Sequence, residues 1–290
     1  DVEEAVKALI SSGNDDLLNL SARIYKEYKG TGNLPLTPVK LKHFLKNVYK
    51  KREYKSKPKT SGETVLSINN VYYRFNRVLK DVIKNLSLKI DRGSVTSILG
   101  GNGSGKSTML SLIYSAYKPY KGKISVKGEI SLLPQLPELL FTKDKVSLLL
   151  DEASIKLAPE FYDKYKDRHP YDLSGGEMEL LGFLCAVSKP YDILLLDEPT
   201  KGMDKRQKNV LKDYILRLKE EGKTVIMVTH DIEFSAIVSD RIGMMFDGQV
   251  IGIDEPKDFF SGNIYYKPLV SKLMKDIDDD VYIEEQLYEL

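Results

Sequence analysis

The sequence has no tryptophan, only three histidines and a single cysteine, Cys185. One cysteine excludes an intrachain disulfide and fits a reducing compartment. Two of the histidines, His43 and His169, have no metal-like company, and Cys185 sits in an apolar helical run, 180–187, that reads as core. Long hydrophobic runs are also missing. Stretches such as Ile193–Leu196 and Leu148–Leu150 are far too short to span a bilayer as a helix. No signal-peptide pattern is read at the N-terminus. The net charge of +2 argues neither for nor against a polyanionic partner. The first residue is Asp1 rather than methionine, which reads as a piece of something longer.

What is present is ordinary for a globular chain: 42% hydrophobic and 30% charged residues in a length of 290, enough for one large domain or a domain and a smaller piece. Two parts are expected. Up to about residue 60, Leu17, Leu20, Ile24 and Tyr28 fall near helical spacing, and Leu41, Phe44, Leu45 and Val48 do so more strictly. Thr37 suits the cap of the second helix and Pro38 its first position. The basic stretch 50–62 reads as an exposed linker, with nucleic-acid contact as its alternative. From Thr64 onward, short β-branched runs alternate with helical patterns. Strands are expected at Val95–Leu99, Glu129–Leu133, Asp192–Leu196 and Thr224–Val228, and helices after Lys106, Gly175 and Asp204. The alternation predicts an α/β domain with a mostly parallel sheet. Arg241–Phe246 and Gln249–Ile253, joined by Asp247-Gly248, read as a hairpin. No internal repeat stands out, and the acidic end of the chain reads as a solvated tail helix.

Gly100-Gly101-Asn102-Gly103-Ser104-Gly105-Lys106-Ser107, followed by Thr108, matches G-x-x-x-x-G-K-[ST] between an expected strand and an expected helix. Glycines let backbone N–H groups turn toward phosphate oxygens, and the helix N-terminus adds its positive end. Lys106 supplies a point charge for phosphates and Ser107 a hydroxyl for Mg²⁺. Ile193–Leu196 then runs into Asp197 and Glu198, placing two carboxylates at the carboxyl edge of the sheet, where open α/β sheets bind ligands. Asp197 suits the Mg²⁺ ion and Glu198 the polarising of an attacking water. Leu173-Ser174-Gly175-Gly176-Glu177 is by itself only a turn.

In order, the phosphate loop, Gln135, Leu173–Glu177, the Asp-Glu strand and His230 resemble the ATP-binding cassette (ABC) family over residues 64–255. The resemblance implies the P-loop ABC ATPase fold: a mostly parallel sheet core, an antiparallel β subdomain and a short helical signature subdomain. It implies ATP and Mg²⁺ as cofactors, with Gln135 reaching the Mg²⁺ and the attacking water. It implies that Ser174 and Gly176 close over the nucleotide of a second ABC ATPase domain, forming composite sites. Asp204 is then a link between the two sites or simply a helix cap, and His230 a contact to the γ-phosphate. Val71–Phe75 resembles the family's first strand, with Phe75 in the adenine-stacking position and Tyr73 as the fallback. Integral membrane subunits are the expected partners, and the cytoplasmic face of the membrane is the expected place. No nucleic acid is expected.

Two departures from the family stand out. Glu177 replaces the usual glutamine, and Met178-Glu179-Leu180 lacks the usual arginine, which bears on how this signature serves a partner's ATP. The stretch from Gln135 to Leu173 is also short, which points to an unusual docking surface. Leu133–Pro137 with Leu140-Phe141, and the segment 258–268, look like the energy-coupling-factor importers, whose ATPase domains are often fused in tandem. On that resemblance, residues 1–60 are the tail of a preceding ATPase domain plus linker, 61–255 the ABC ATPase domain, and 256–290 a C-terminal helical extension. The alternatives are a non-transport ABC ATPase acting on ribosome or nucleic acid, and a domain that binds nucleotide without hydrolysing it.

Overall fold

The computed structural model describes residues 19–51, 62–263 and 266–288. Leu17 and most of the basic stretch 50–62 lie outside the described residues, as do Ile264 and Tyr265 of the tail segment. The chain divides into two units, one of residues 58–259 and one of residues 1–57 with 260–290.

The larger unit carries two sheets. The first is antiparallel in the order β2-β1-β4, formed by β1 (Thr64–Tyr73), β2 (Ile83–Asp91) and β4 (Lys121–Val126). The second has six strands in the order β5-β6-β7-β3-β8-β9. They are β3 (Val95–Leu99), β5 (Ile130–Leu133), β6 (Ile193–Asp197), β7 (Thr224–Thr229), β8 (Arg241–Phe246) and β9 (Gln249–Asp254). Every pair is parallel except β8 with β9, the hairpin turned at Asp247-Gly248. β3, β6 and β7 are buried at every position. That is the burial expected of parallel strands covered on both faces, and it is why their sequences are nearly continuous apolar runs. Parallel register also puts the ends of β3, β5, β6 and β7 at one edge, so the segments that follow them share that edge.

Long helices follow at Lys106–Ile113, Gly175–Val187 and Lys205–Glu220. The last buries Leu211, Tyr214, Ile215 and Leu218, one helical stripe. Between Gln135 and Leu173 the chain makes only short helical pieces, including Glu152–Leu157 and Pro159–Tyr165. Cys185 is buried, and burial pushes its thiol up to about 12, so it behaves as an inert apolar side chain.

In the smaller unit, the helices Leu20–Glu27 and Pro38–Val48 form as their spacing predicts, capped by Asn19 and Thr37. The acidic end of the chain differs from expectation. It is not one solvated helix but short helices at Leu269–Met274 and Glu285–Tyr288. Their apolar residues Val270, Leu273, Met274 and Leu287 join Ile24, Leu41 and Leu45 in one core. Each such leucine contributes about 1.5–3 kcal/mol when buried. Those acidic groups are also individually engaged. Glu284 takes both Arg23 Nε (2.7 Å) and Nη2 (2.6 Å), and Asp278 accepts from the Tyr49 hydroxyl at 2.8 Å. Net acidity along the chain hid an amphipathic pattern whose charges are matched by the N-terminal segment.

Candidate functional site

The turn from β3 into the helix Lys106–Ile113 needs glycine for two separate reasons. Gly103 (φ 76°) and Gly105 (φ 106°) lie in the left-handed region that L side chains avoid. Gly100 has no room: a Cβ there would sit 2.5 Å from the Met245 carbonyl oxygen. Gly101, Asn102, Gly103 and Ser107 are exposed, Thr108 is half-buried, and Ser104 is buried with its hydroxyl unpartnered. Lys106 is 7% exposed and its ammonium donates to the Gly100 (2.8 Å) and Gly101 (3.2 Å) carbonyls. The loop is therefore braced from inside by its own cation while its open rim presents backbone.

The carboxylates at the end of β6 reach this loop. The Asp197 carboxyl sits above the usual range: burial raises it most, the nearby Ser107 hydroxyl opposes this, Glu198 adds to the rise and Lys106 pulls the other way. Asp197 Oδ1 is buried without a protein partner. A buried carboxylate oxygen lacking a donor, beside an exposed hydroxyl, is the oxygen set that suits a hard divalent cation, so these residues fit Mg²⁺.

Glu198 has φ 54°, a conformation costing about 1–2 kcal/mol for a residue with a side chain. What over-determines it is its Oε2, which accepts from the Thr229 hydroxyl (3.1 Å) and the His230 N–H (3.1 Å) and lies 2.7 Å from His230 Nδ1. Its other oxygen is 3.7 Å from Lys106 Nζ. Strain of this kind, held by surrounding bonds, gathers at functional positions. Lys106, Ser107, Asp197, Glu198 and His230 are thus brought together. Thr229 belongs with them and was missed by sequence reasoning, because a threonine ending an apolar strand carries no signal of its own. Gln135 follows the end of β5 at the same sheet edge and is exposed.

Phe75 is 54% exposed, whereas Tyr73 is 8% exposed and stacks on Tyr117 with centroids 5.3 Å apart. Of the two candidates for a stacking aromatic, only Phe75 offers an open ring. Ser174 caps the helix Gly175–Val187. A Cβ on Gly176 would strike the Gln207 amide at 2.2 Å. Gln207 in turn forms a reciprocal cap with Asp204: Asp204 N–H donates to Gln207 Oε1 (2.9 Å) and Gln207 N–H to Asp204 Oδ1 (2.8 Å). Asp204 is therefore a helix cap here, and its Gln207 partner lies against the signature glycine. Lys208, one turn along the same helix, binds Asp231 beside His230 at 2.6 Å.

Glu179, one of the family departures, is 6% exposed, and burial pushes its carboxyl up to about 8, with Glu138 adding to the shift and Lys201 opposing it. The fold favours its neutral form. Its contribution to stability is complete below about pH 4.5 and is lost as pH rises through about 8. Glu179→Gln should therefore gain in melting temperature over the wild type from pH 4.5 to 8 and level off above that. A pH-independent difference would refute this reading.

The sequence model of the family described as ABC transporter matches residues 83–201. A Bacillus thuringiensis subsp. konkukian protein named as an ABC transporter ATP-binding protein is 33% identical over 284 residues, covering 87% of this chain and 51% of that one. The energy-coupling factor transporter ATP-binding protein EcfA2 of Thermotoga maritima is 30% identical over 246 residues, covering 72% of this chain and 91% of its own. Among solved structures, cbiO1 of Clostridium perfringens, described as part of the ABC transporter complex cbiONQ, has 25% identity and a TM-score of 0.61, covering 74% of this chain and 96% of that one. The chain spans about half the length of the Bacillus relatives it matches. With the fold, the phosphate loop and the Asp-Glu strand already in hand, these similarities show that the chain belongs to the ATP-binding proteins of ABC transporters, a family of ATPases.

Proposed function

We propose that this chain binds and hydrolyses ATP as one half of a two-domain ATPase that powers a membrane importer of the energy-coupling-factor type, for a metal ion or a vitamin. The observation that carries the reading is the convergence of Lys106, Ser107, Asp197, Glu198 and His230 at one sheet edge. In this reading the rim of residues 100–107 holds the phosphates and Phe75 stacks the adenine. Ser107 and Asp197 would hold Mg²⁺, with Gln135 at the neighbouring strand end, and the ion would supply neutralisation of phosphate charge. Glu198 orients the attacking water and accepts its proton, while Thr229 and His230 fix its carboxylate. Ser174 and Gly176 face the nucleotide of a second ATPase domain, and Asp204 lies beside that contact.

Two further features support the importer and tandem parts of the reading. Leu136, Leu139, Leu148 and Tyr171 are exposed apolar side chains between Gln135 and Leu173, a surface suited to a membrane subunit. Two short stretches of the chain also resemble one another. Thr31-Gly32-Asn33-Leu34 corresponds to Ser261-Gly262-Asn263-Ile264, and Pro38 and Pro268 follow at the same spacing. Each proline leads into a helix, and both helices feed the core of the smaller unit. This resemblance supports residues 1–60 as the end of a preceding ATPase domain, 61–255 as the present one, and 256–290 as its extension. The similarity to EcfA2 and to cbiO1 supports the same branch.

The test is turnover by the purified chain with and without Mg²⁺. ATP hydrolysis should stop when EDTA exceeds the metal and return when Mg²⁺ is restored. Hydrolysis indifferent to chelation would overturn the assignment of Ser107 and Asp197.

A further inference from the structure

Glu177, the residue that departs from the family's glutamine, has a physical partner. Tyr165 ends the helix Pro159–Tyr165, is 4% exposed, and packs on Phe161 with centroids 4.8 Å apart. Lys164 Nζ lies 4.7 Å and the Arg168 guanidinium 5.5 Å from the centre of its ring, so the ring is held from several sides. The Tyr165 hydroxyl donates to Glu177 Oε1. The other oxygen, Oε2, accepts from the Ser174 N–H at 2.9 Å, and Lys164 Nζ stands 3.9 Å from Oε1. One carboxylate thus joins the helix Pro159–Tyr165 to the first turn of the signature helix. A glutamine has one acceptor oxygen and would meet the second donor with an amide. Its bonds would also be neutral, and charge-assisted bonds are roughly twice as strong. The hydroxyl at 165 therefore accounts for an acid at 177.

We propose that Tyr165 is a positioning residue for the signature: its hydroxyl pins the Glu177 carboxylate over the Ser174 N–H, fixing Ser174 and engaging the carboxylate's charge within the chain. This rests on the reading above that Ser174 meets the phosphate of a partner domain's nucleotide. A loose carboxylate at that position would repel the phosphate, whereas one tied to Tyr165, Ser174 and Lys164 is already matched. The carboxyl lies below its usual range. Burial acts most strongly and upward, and the bonds from Tyr165 and Ser174 outweigh it. The group therefore stays an anion, as the role requires.

The experiment compares wild type, Tyr165→Phe, Glu177→Gln and the double variant in the full chain, by ATP turnover and by hydrogen exchange at the Ser174 amide. Tyr165→Phe should lower turnover and speed that exchange, each by about tenfold, the scale of one lost hydrogen bond to a charged group. Nucleotide affinity at the chain's own loop, residues 100–107, serves as the control and should hold. Adding Glu177→Gln to Tyr165→Phe should restore both quantities to within about twofold, because the stranded charge is gone. A residue that merely fills the core would show no such rescue. Wild-type exchange in Tyr165→Phe, or loss without rescue in the double variant, overturns the proposal. Absence of turnover in the wild type would instead overturn the proposed function, and the exchange measurement would still decide the role of Tyr165.

Discussion

Glu198→Gln should lower ATP turnover about a thousandfold, the middle of the range for removing a general base, and leave nucleotide binding in place. The substitution keeps volume and one acceptor oxygen, so Thr229 and the His230 N–H still have a partner. What is lost is the ability to take a proton. The strained backbone at Glu198 is unchanged by the swap, and Lys106, 3.7 Å away, keeps its two carbonyl contacts in the loop. Binding without hydrolysis should then trap the ATP-closed pair of domains, because closure is favoured by the γ-phosphate and reopening requires its loss. Gel filtration in Mg-ATP should show a larger species for the variant than for the wild type. Undiminished turnover would remove Glu198 from its proposed role.

How legible this site was in the sequence depended on what kind of residue each part used. Lys106, Ser107, Asp197 and Glu198 were legible because glycine spacing and an apolar strand ending in two acids are local patterns. The parallel strands were legible for the same reason, since burial on both faces leaves a continuous apolar run. Thr229 and Tyr165 were not legible. Each acts through a hydrogen bond to a residue distant in the chain, Thr229 to Glu198 and Tyr165 to Glu177. Nothing in the immediate neighbourhood of a threonine or a tyrosine encodes such a partner. The acidic tail was misread for a related reason. Its charge dominated the local composition, while the groups that match it, Arg23 and Tyr49, are more than two hundred positions away. Glu177 gives the same lesson in reverse: as sequence it looked like a weakened signature, and its geometry makes it an acceptor for two donors.

Lys106→Ala should weaken ATP binding about a hundredfold or more, since hydrogen bonds to a charged group are worth about 1.5–3 kcal/mol each and this ammonium serves more than one acceptor. The loss has three physical parts. The Gly100 and Gly101 carbonyls lose their donor, so the rim that would cradle phosphate is no longer braced. The phosphates lose their point charge. Asp197 loses the cation that opposes burial and Glu198, so its carboxyl moves still higher and holds a divalent ion less well as pH falls. Lys106→Arg should not rescue binding, because a planar guanidinium differs in shape from the compact ammonium buried there. Calorimetric titration with Mg-ATP measures the affinity, and a melting curve separates it from unfolding. An affinity within about threefold of wild type, well under the value of one charged hydrogen bond, would mean that the loop binds phosphate through its backbone alone. Lys106 would then be a structural brace and not a ligand.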